Sequence, residues 1–161
     1  MPGGINPIPD CQLTWVFGLL ETLEDRGGRD DGYKIARDLQ FKFSDLLKVM
    51  KTAEILGFVS TPDGDVVLEA LGKRWLDSDV NARKLIVRDQ LKNLGLFAYF
   101  ARLLRAQEDR SLSRELVLEH LAMLLPNEKP AKMFNTIVNW GRYAELFGYN
   151  NDEDRFYLDQ E

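Results

Sequence analysis

The sequence predicts a mainly α-helical protein with short β-hairpins, built as tandem winged-helix-like units packed on a long connecting helix. The first observation is helical periodicity, because apolar residues recur every three or four positions through most of the 161 residues. The second is a repeat: the phrase at 53–58 returns in similar form at 144–149, 91 positions later. An acidic turn (62–65 or 151–154) and a short apolar stretch follow each copy, which indicates one supersecondary unit used twice.

Three helices are predicted in the first unit. One covers 11–25 and stops at Gly27-Gly28, and a short one covers 33–40. The buried stripe of the first is expected to consist of Leu13, Val16, Phe17, Leu20 and Leu23. Ser44 is expected to be the N-cap of the third helix, which ends at Gly57.

The repeated phrase fits a helix C-terminus. A glycine at the C′ position adopts a left-handed conformation, and the next residue contacts the last turn of the helix. We therefore expect Gly57 to turn the chain and Phe58 to fold back on Ala53. The second copy is expected to give the same roles to Gly148, Tyr149 and Ala144.

Turn-forming residues at 62–65 lie between the apolar pairs 59–60 and 66–68, which predicts a hairpin. Three helices followed by a hairpin is the winged-helix order. A short helix at 69–75 is predicted to lead out of this unit.

A long connecting helix is predicted over 81–107, with Gly95 as a weak point. Its broad apolar surface predicts packing between two units. Further helices are expected at 113–125 and 131–147, with Pro130 at the first position of the latter. A second hairpin follows.

The domain prediction comes from these patterns. Residues 1–9, rich in glycine and proline, are expected to form a flexible arm or linker. Residues 10–79 form the first winged-helix-like unit and residues 80–161 the second, and the two are expected to make one compact domain.

The composition and hydropathy of the chain indicate its cellular compartment. One cysteine precludes an internal disulfide, which favours a reducing compartment. The chain shows no apolar run of the ~20 residues that span a bilayer and no signal-peptide pattern. We expect a cytoplasmic protein without membrane insertion, found at the inner face of the membrane when it joins a transporter complex.

Motifs for catalysis are missing from the sequence. A single histidine (His120) and a single cysteine (Cys11) cannot form a zinc site or a supported catalytic triad. The Gly-Lys pair at 72–73 lacks the rest of a phosphate-binding loop. His120 is expected to be a packed or half-exposed helix residue. The chain is predicted to be no enzyme, with no catalytic residue, cofactor or metal.

Nucleic acid is an alternative partner, since winged helices often bind DNA. The candidate contacts are Lys48, Lys51, Lys129 and Lys132. Residues 1–80 hold 9 basic and 14 acidic side chains, while residues 81–161 hold 12 of each. This balance and the acidic wings disfavour binding to a phosphate backbone.

A family resemblance goes further. Gly18-Leu19-Leu20-Glu21, the stop at 54–58 and above all the block at 139–147 (Asn-Trp-Gly-Arg-Tyr-Ala-Glu-Leu-Phe) resemble the C-terminal AAA-associated domain. The resemblance covers 7–158. This family is found downstream of the ATP-binding cassette in ATPase subunits of nitrate, sulfonate and bicarbonate-type ABC importers, and also as short free-standing proteins.

The resemblance implies a non-catalytic regulatory or protein-interaction domain. Its partner would be the ATPase cassette or a second copy of itself, and any ATPase activity would belong to the cassette. Trp140, Arg142 and Tyr143 are the predicted partner-binding residues. The competing interpretation is that Trp140 packs between the two units and Arg142 pairs with a nearby carboxylate. A sensor domain that binds a small anion or metabolite is the remaining alternative.

Overall fold

A computed structural model describes residues 4–159, and these residues divide into two units. The N-terminal unit is 11–83, and the C-terminal unit comprises 4–10 and 84–159. Eight helices and two three-stranded antiparallel sheets within the described residues confirm a mainly α-helical fold with short hairpins. The winged-helix interpretation and the predicted domain limits stay predictions. The predicted arm falls partly on residues 1–3, which lie outside the described residues.

The N-terminal unit follows the order helix, strand, helix, helix, strand, strand. Its elements are α1 (Leu13–Asp25), β1 (Arg29–Asp31), α2 (Gly32–Asp38), α3 (Phe43–Ile55), β2 (Val59–Ser60), β3 (Asp65–Leu68) and α4 (Ala70–Leu76). The strand order in its sheet is β1-β3-β2, with Asp30 opposite Val66 and Val59 opposite Leu68. The hairpin between β2 and β3 lies where the turn residues predict it.

Helix α3 ends as the sequence predicts. Gly57 has a φ of 82° and the amide of Phe58 donates to the carbonyl of Ala53 at 2.9 Å. Both Phe58 and Ala53 are fully buried. The start of α3 differs from the prediction, because Lys42 is the N-cap and Ser44 lies inside the first turn.

The order helix, strand, helix, helix, strand, strand occurs again in the C-terminal unit. Helix α5 (Val80–Lys92) comes first in sequence, and the repeated order is α6 (Gly95–Arg105), β4 (Ser111–Ser113), α7 (Arg114–Leu124), α8 (Pro130–Tyr143), β5 (Phe147–Asn150) and β6 (Arg155–Leu158). The sheet order is β4-β6-β5, which matches that of the first sheet. Pro130 is in the first turn of α8, as predicted.

The prediction of one long helix over 81–107 is wrong. The amides of Asn93 and Leu94 bond back to Gln90 and Leu91, and Leu94 then adopts an extended conformation. The broad apolar pattern therefore belongs to two helices that each bury a narrower stripe. Gly95 begins α6, and a Cβ there would lie 3.2 Å from the Gly4 carbonyl oxygen.

The predicted roles in the second copy of the repeat are also wrong. Helix α8 ends earlier, with Glu145 in the left-handed region (φ 56°) and the Leu146 amide bonded to the Gly141 carbonyl at 2.9 Å. Gly148 lies in β5 opposite Tyr157, where a Cβ would come 2.3 Å from the ring. Gly57 thus corresponds to Glu145, 88 positions later rather than 91.

Two cations surround this unusual C-terminus. The buried Arg88 donates from Nε to the Ala144 carbonyl at 2.7 Å, and Lys84 Nζ lies 3.0 Å from Glu145 Oε2. Positive charge is favourable at a helix C-terminus. These contacts explain how a glutamate holds a conformation that glycine usually adopts.

Candidate protein-interaction surface

Trp140 lies in the core of the C-terminal unit. Its side chain is fully buried and stacks on Phe97, with ring centroids 5.9 Å apart and an interplanar angle of 5°. A buried indole offers no area to a partner of the folded unit.

Arg142 and Tyr143 end helix α8. Arg142 is exposed, and its guanidinium donates to the backbone carbonyl of Tyr149 rather than to a carboxylate. Tyr143 is half-buried. Their role in partner binding stays a prediction.

All four lysines of the nucleic-acid hypothesis are exposed. Lys48 and Lys51 project from α3, while Lys129 is the N-cap of α8 and Lys132 lies in its first turn. The first pair belongs to the N-terminal unit and the second to the C-terminal unit. Nucleic-acid binding by these residues stays a prediction.

Exposed aromatic rings lie together on the N-terminal unit. Trp15 on α1 is 51% exposed and meets Phe41 edge to face, with centroids 5.0 Å apart. Tyr33 on α2 is 68% exposed and stacks on Phe43 at 3.9 Å. Phe41 and Phe43 are separated by one residue, Lys42, whose backbone is extended, so we expect the two ring pairs to lie near each other. We call this region the aromatic surface and define it by Trp15, Tyr33, Leu39, Phe41, Phe43 and Leu47.

Helix α3 extends the aromatic surface. Phe43, Leu47 and Lys51 are spaced by four, so they share one face of the helix. Leu47 is 45% exposed although it is a large apolar side chain. Single exposed apolar residues are ordinary, whereas several that lie close together are typical of interaction sites in general.

Ion pairs fix the elements that carry these rings. Arg26 after α1 pairs with Asp30 of β1 at 2.6 Å and with Asp38 at the end of α2 at 3.0 Å. The bond from Arg26 holds the pKa of Asp30 below its usual value. Asp31 caps α2 by accepting from the Lys34 amide at 3.1 Å. Tyr33 therefore stands on a short helix that is held at both ends.

Lysines surround the aromatic surface. Lys42, Lys48 and Lys51 are exposed, and no carboxylate among the described residues lies within 4 Å of them. The segment 32–56 holds five basic and three acidic residues, in contrast to the acidic excess of 1–80. The segment that carries most of the aromatic surface is therefore more basic than the rest of residues 1–80.

The fold itself does not require these exposed rings. In the 88-residue register, buried Leu46, Val49 and Met50 correspond to the buried Phe134, Ile137 and Val138 of α8. The half-buried Phe43 and the exposed Leu47 correspond instead to Ala131 and Asn135. Helix α8 therefore packs without the two apolar side chains that α3 contributes to the aromatic surface.

The sequence interpretation missed this surface. Trp15 stands outside the stripe of α1, and Tyr33 and Leu47 stand outside the buried positions of their helices. The available signal was the presence of large apolar residues at solvent-facing helix positions. Those positions can be identified only when it is known exactly which side of each helix is buried.

Among residues 4–159, no group of three or more His, Cys, Asp or Glu side chains could hold a metal ion. His120 is half-buried, as expected, and its Nδ1 lies 2.7 Å from the Tyr99 hydroxyl. No described helix has the length and apolar character needed to cross a bilayer.

Comparison with known proteins gives one result. The model of the C-terminal AAA-associated domain family matches residues 33–150. This range contains most of the aromatic surface, including Tyr33, Phe43 and Leu47. The searches of curated proteins and of solved structures gave no match.

Proposed function

Because this chain belongs to the C-terminal AAA-associated domain family, we propose that it is a non-catalytic accessory domain that binds and regulates an ATPase cassette. The cassette would be that of an ABC importer for nitrate, sulfonate or bicarbonate-type anions. The binding could occur within one polypeptide or between separate chains. This function would bring the chain to the cytoplasmic face of the membrane.

The observation that carries the proposal is the aromatic surface. Trp and Tyr are enriched among the few residues that supply most of the binding energy at interfaces. Tyr33 and Trp15 are half or more exposed, and both have packed ring partners. A ring that is already held loses little conformational freedom on binding, which favours affinity.

ATP hydrolysis is assigned to the partner. The sequence has no Walker motif and no ABC signature. Hence the chain would act by changing the ATPase rate of the cassette.

DNA binding is the competing function, and the exposed Lys48 and Lys51 are its support. The turn of the first hairpin argues against it, since Asp63 is exposed there. Arg29 on β1 is already paired with Asp65 at 2.9 Å. Negative charge at this turn would repel phosphate groups.

Binding to the ATPase subunit of an ABC importer for such anions, taken from the same organism, tests the proposal. We expect saturable binding by biolayer interferometry and a changed ATPase rate. Tyr33→Ala and Leu47→Asp should each weaken binding at least tenfold, or about 1.4 kcal/mol. Met123→Asp is the matched control, because Met123 is an exposed apolar residue (66%) in the other unit.

Three outcomes would count against the proposal. Absence of binding by the wild-type chain would overturn the accessory function. Equal binding by all variants would overturn the aromatic surface as the docking site. If the wild-type chain binds duplex DNA, and this binding is lost with Lys51→Gln and with rising salt, the DNA alternative is favoured.

A further inference from the structure

A small cavity lies along helix α6 of the C-terminal unit. Its volume is about 240 Å³, which is below the range of about 300–1,000 Å³ typical of drug-sized ligands. It is lined by Lys92, Phe97, Ala98, Ala101, Arg102, Arg105, Leu146 and Leu158. Any ligand of this cavity must therefore be small.

The sequence of α6 creates this cavity. Ala98, Ala101, Arg102 and Arg105 are spaced by three, one and three, which places them along one side of the helix. The two alanines leave a depression between longer side chains. Phe97, Leu146 and Leu158 are buried and give it an apolar floor.

The cations of the cavity come from two helices. Lys92 ends α5, whereas Arg102 and Arg105 belong to the last two turns of α6. Neither Lys92 nor Arg102 has a carboxylate within 4 Å among the described residues. Asp159 follows Leu158 and bonds through its amide to Leu146, but its side chain is not part of the lining.

We propose that this cavity binds a small oxyanion that carries a short apolar chain. The Arg102 guanidinium provides paired donors suited to a carboxylate or phosphate group, and Lys92 adds a second positive charge. The apolar chain would cover Ala98, Ala101 and Leu146. This proposal is independent of the proposed docking function.

Titration of the whole chain with butanoate and butyl phosphate tests the site, read by amide chemical shifts. Saturable shifts are expected at Ala98, Ala101, Leu146 and Leu158. Inorganic phosphate should bind more weakly than butyl phosphate, because it lacks the chain that contacts the floor. 1-Butanol should not bind, because it lacks the charge.

Two variants separate charge from shape. Arg102→Gln should weaken butyl phosphate binding at least tenfold and leave the contact between the butyl group and the apolar floor intact. Ala98→Leu fills the depression at a half-buried position without changing charge, and it should abolish binding. Lys132→Gln removes an exposed cation elsewhere in the same unit and should have no effect.

Several results would overturn the inference. Shifts spread over all exposed cations, or equal loss with Lys132→Gln, would mean non-specific charge attraction. Equal binding of inorganic and butyl phosphate would remove the role of the apolar floor. Circular dichroism of each variant checks that a loss of binding does not come from unfolding.

Discussion

Gly141 occupies the place in α8 that Ala53 occupies in α3, and both residues lie where a helix ends. The carbonyl of each residue accepts a hydrogen bond from the amide five positions later in the chain. Phe58 donates to Ala53 and Leu146 donates to Gly141, both at 2.9 Å. The space around them differs. A Cβ on Gly141 would stand 2.8 Å from the Cβ of Phe147, so the second copy has no room for alanine.

Gly141→Ala should therefore destabilise the protein by about 1–3 kcal/mol, as overpacking in a core does. The sign of the change in stability is informative, because helix propensity alone predicts that alanine would stabilise the helix by roughly 1 kcal/mol. Phe147 is fully buried, and the contact involves its Cβ, which cannot rotate away. Urea denaturation followed by circular dichroism measures the change.

Gly18→Ala is the matched control for this prediction. Gly18 is exposed in the middle of α1, and a Cβ there meets no atom within 4 Å. This substitution should raise stability by up to about 1 kcal/mol. Stabilisation by both substitutions would show that the contact with Phe147 does not limit residue 141.

At the scale of elements, Arg26 joins three parts of the N-terminal unit. It follows α1 and pairs with Asp30 in β1 and Asp38 in α2. The hydrogen bond from Arg26, together with that from the Asp31 amide, lowers the pKa of Asp30 below its usual 3.8. A carboxylate with a lowered pKa stabilises the folded state above pH about 4, and that stabilisation disappears as pH falls through the folded value.

Arg26→Met should consequently lower the urea midpoint at neutral pH, by an amount that is constant from about pH 8 to 5. Below pH about 4 the difference from wild type should shrink, because Asp30 becomes protonated in both proteins. Arg74→Met is the control, since Arg74 is exposed and makes no ion pair among the described residues. A difference that stays constant down to pH 2 would contradict the role of the ion pair with Asp30.

Local signals predicted most helices and both hairpins. The stop at Gly57 and the Pro130 start of α8 are properties of neighbouring residues, and both are present. The predicted stripe of α1 is buried except for Phe17, which is half-buried. Strand β1 was not predicted because its sequence is Arg29-Asp30-Asp31, which disfavours strands. It exists through pairing with β3, which a local pattern cannot reveal.

Non-local contacts also explain the wrong assignments. Gly148 has the right neighbours for a helix stop, but the Tyr157 ring lies over it across the sheet. The left-handed turn falls on Glu145 instead, near Arg88 and Lys84. The similar wording 91 residues apart therefore predicted a duplicated unit of three helices and a hairpin. It missed the strand after the first helix of each copy and assigned the wrong roles to Gly148, Tyr149 and Ala144.

At the scale of the whole molecule, the two units share an element order and differ in what they expose. The N-terminal unit carries the aromatic surface and a local excess of lysine. The C-terminal unit has Ala131 and Asn135 at the positions that correspond to Phe43 and Leu47, and it has a cation-lined cavity along α6. One scaffold used twice thus supports two proposed sites of different chemistry.

The N-terminal unit should fold as the isolated fragment 11–83. Its three strands pair with one another, and α4 closes its core: Trp75 is buried and stacks on Phe17 at 4.3 Å. Arg83 covers the Trp75 ring at 4.1 Å and donates to its carbonyl at 2.9 Å. We expect cooperative thermal unfolding, with a stability of a few kcal/mol, on the order of 3–5 for a chain this short.

The fragment 11–69 is the matched control, because it keeps the sheet and lacks α4. It lacks Trp75 and Gly72, which are both in α4. Gly72 packs so closely on Phe58 that a Cβ there would lie 2.5 Å from the Phe58 carbonyl oxygen. Without α4, the core beside Phe58 and Phe17 is open to water, so the unfolding of 11–69 should be broad and non-cooperative. Cooperative unfolding of 11–69 would show that α4 is dispensable, and a non-cooperative transition in 11–83 would show that the unit depends on the rest of the chain.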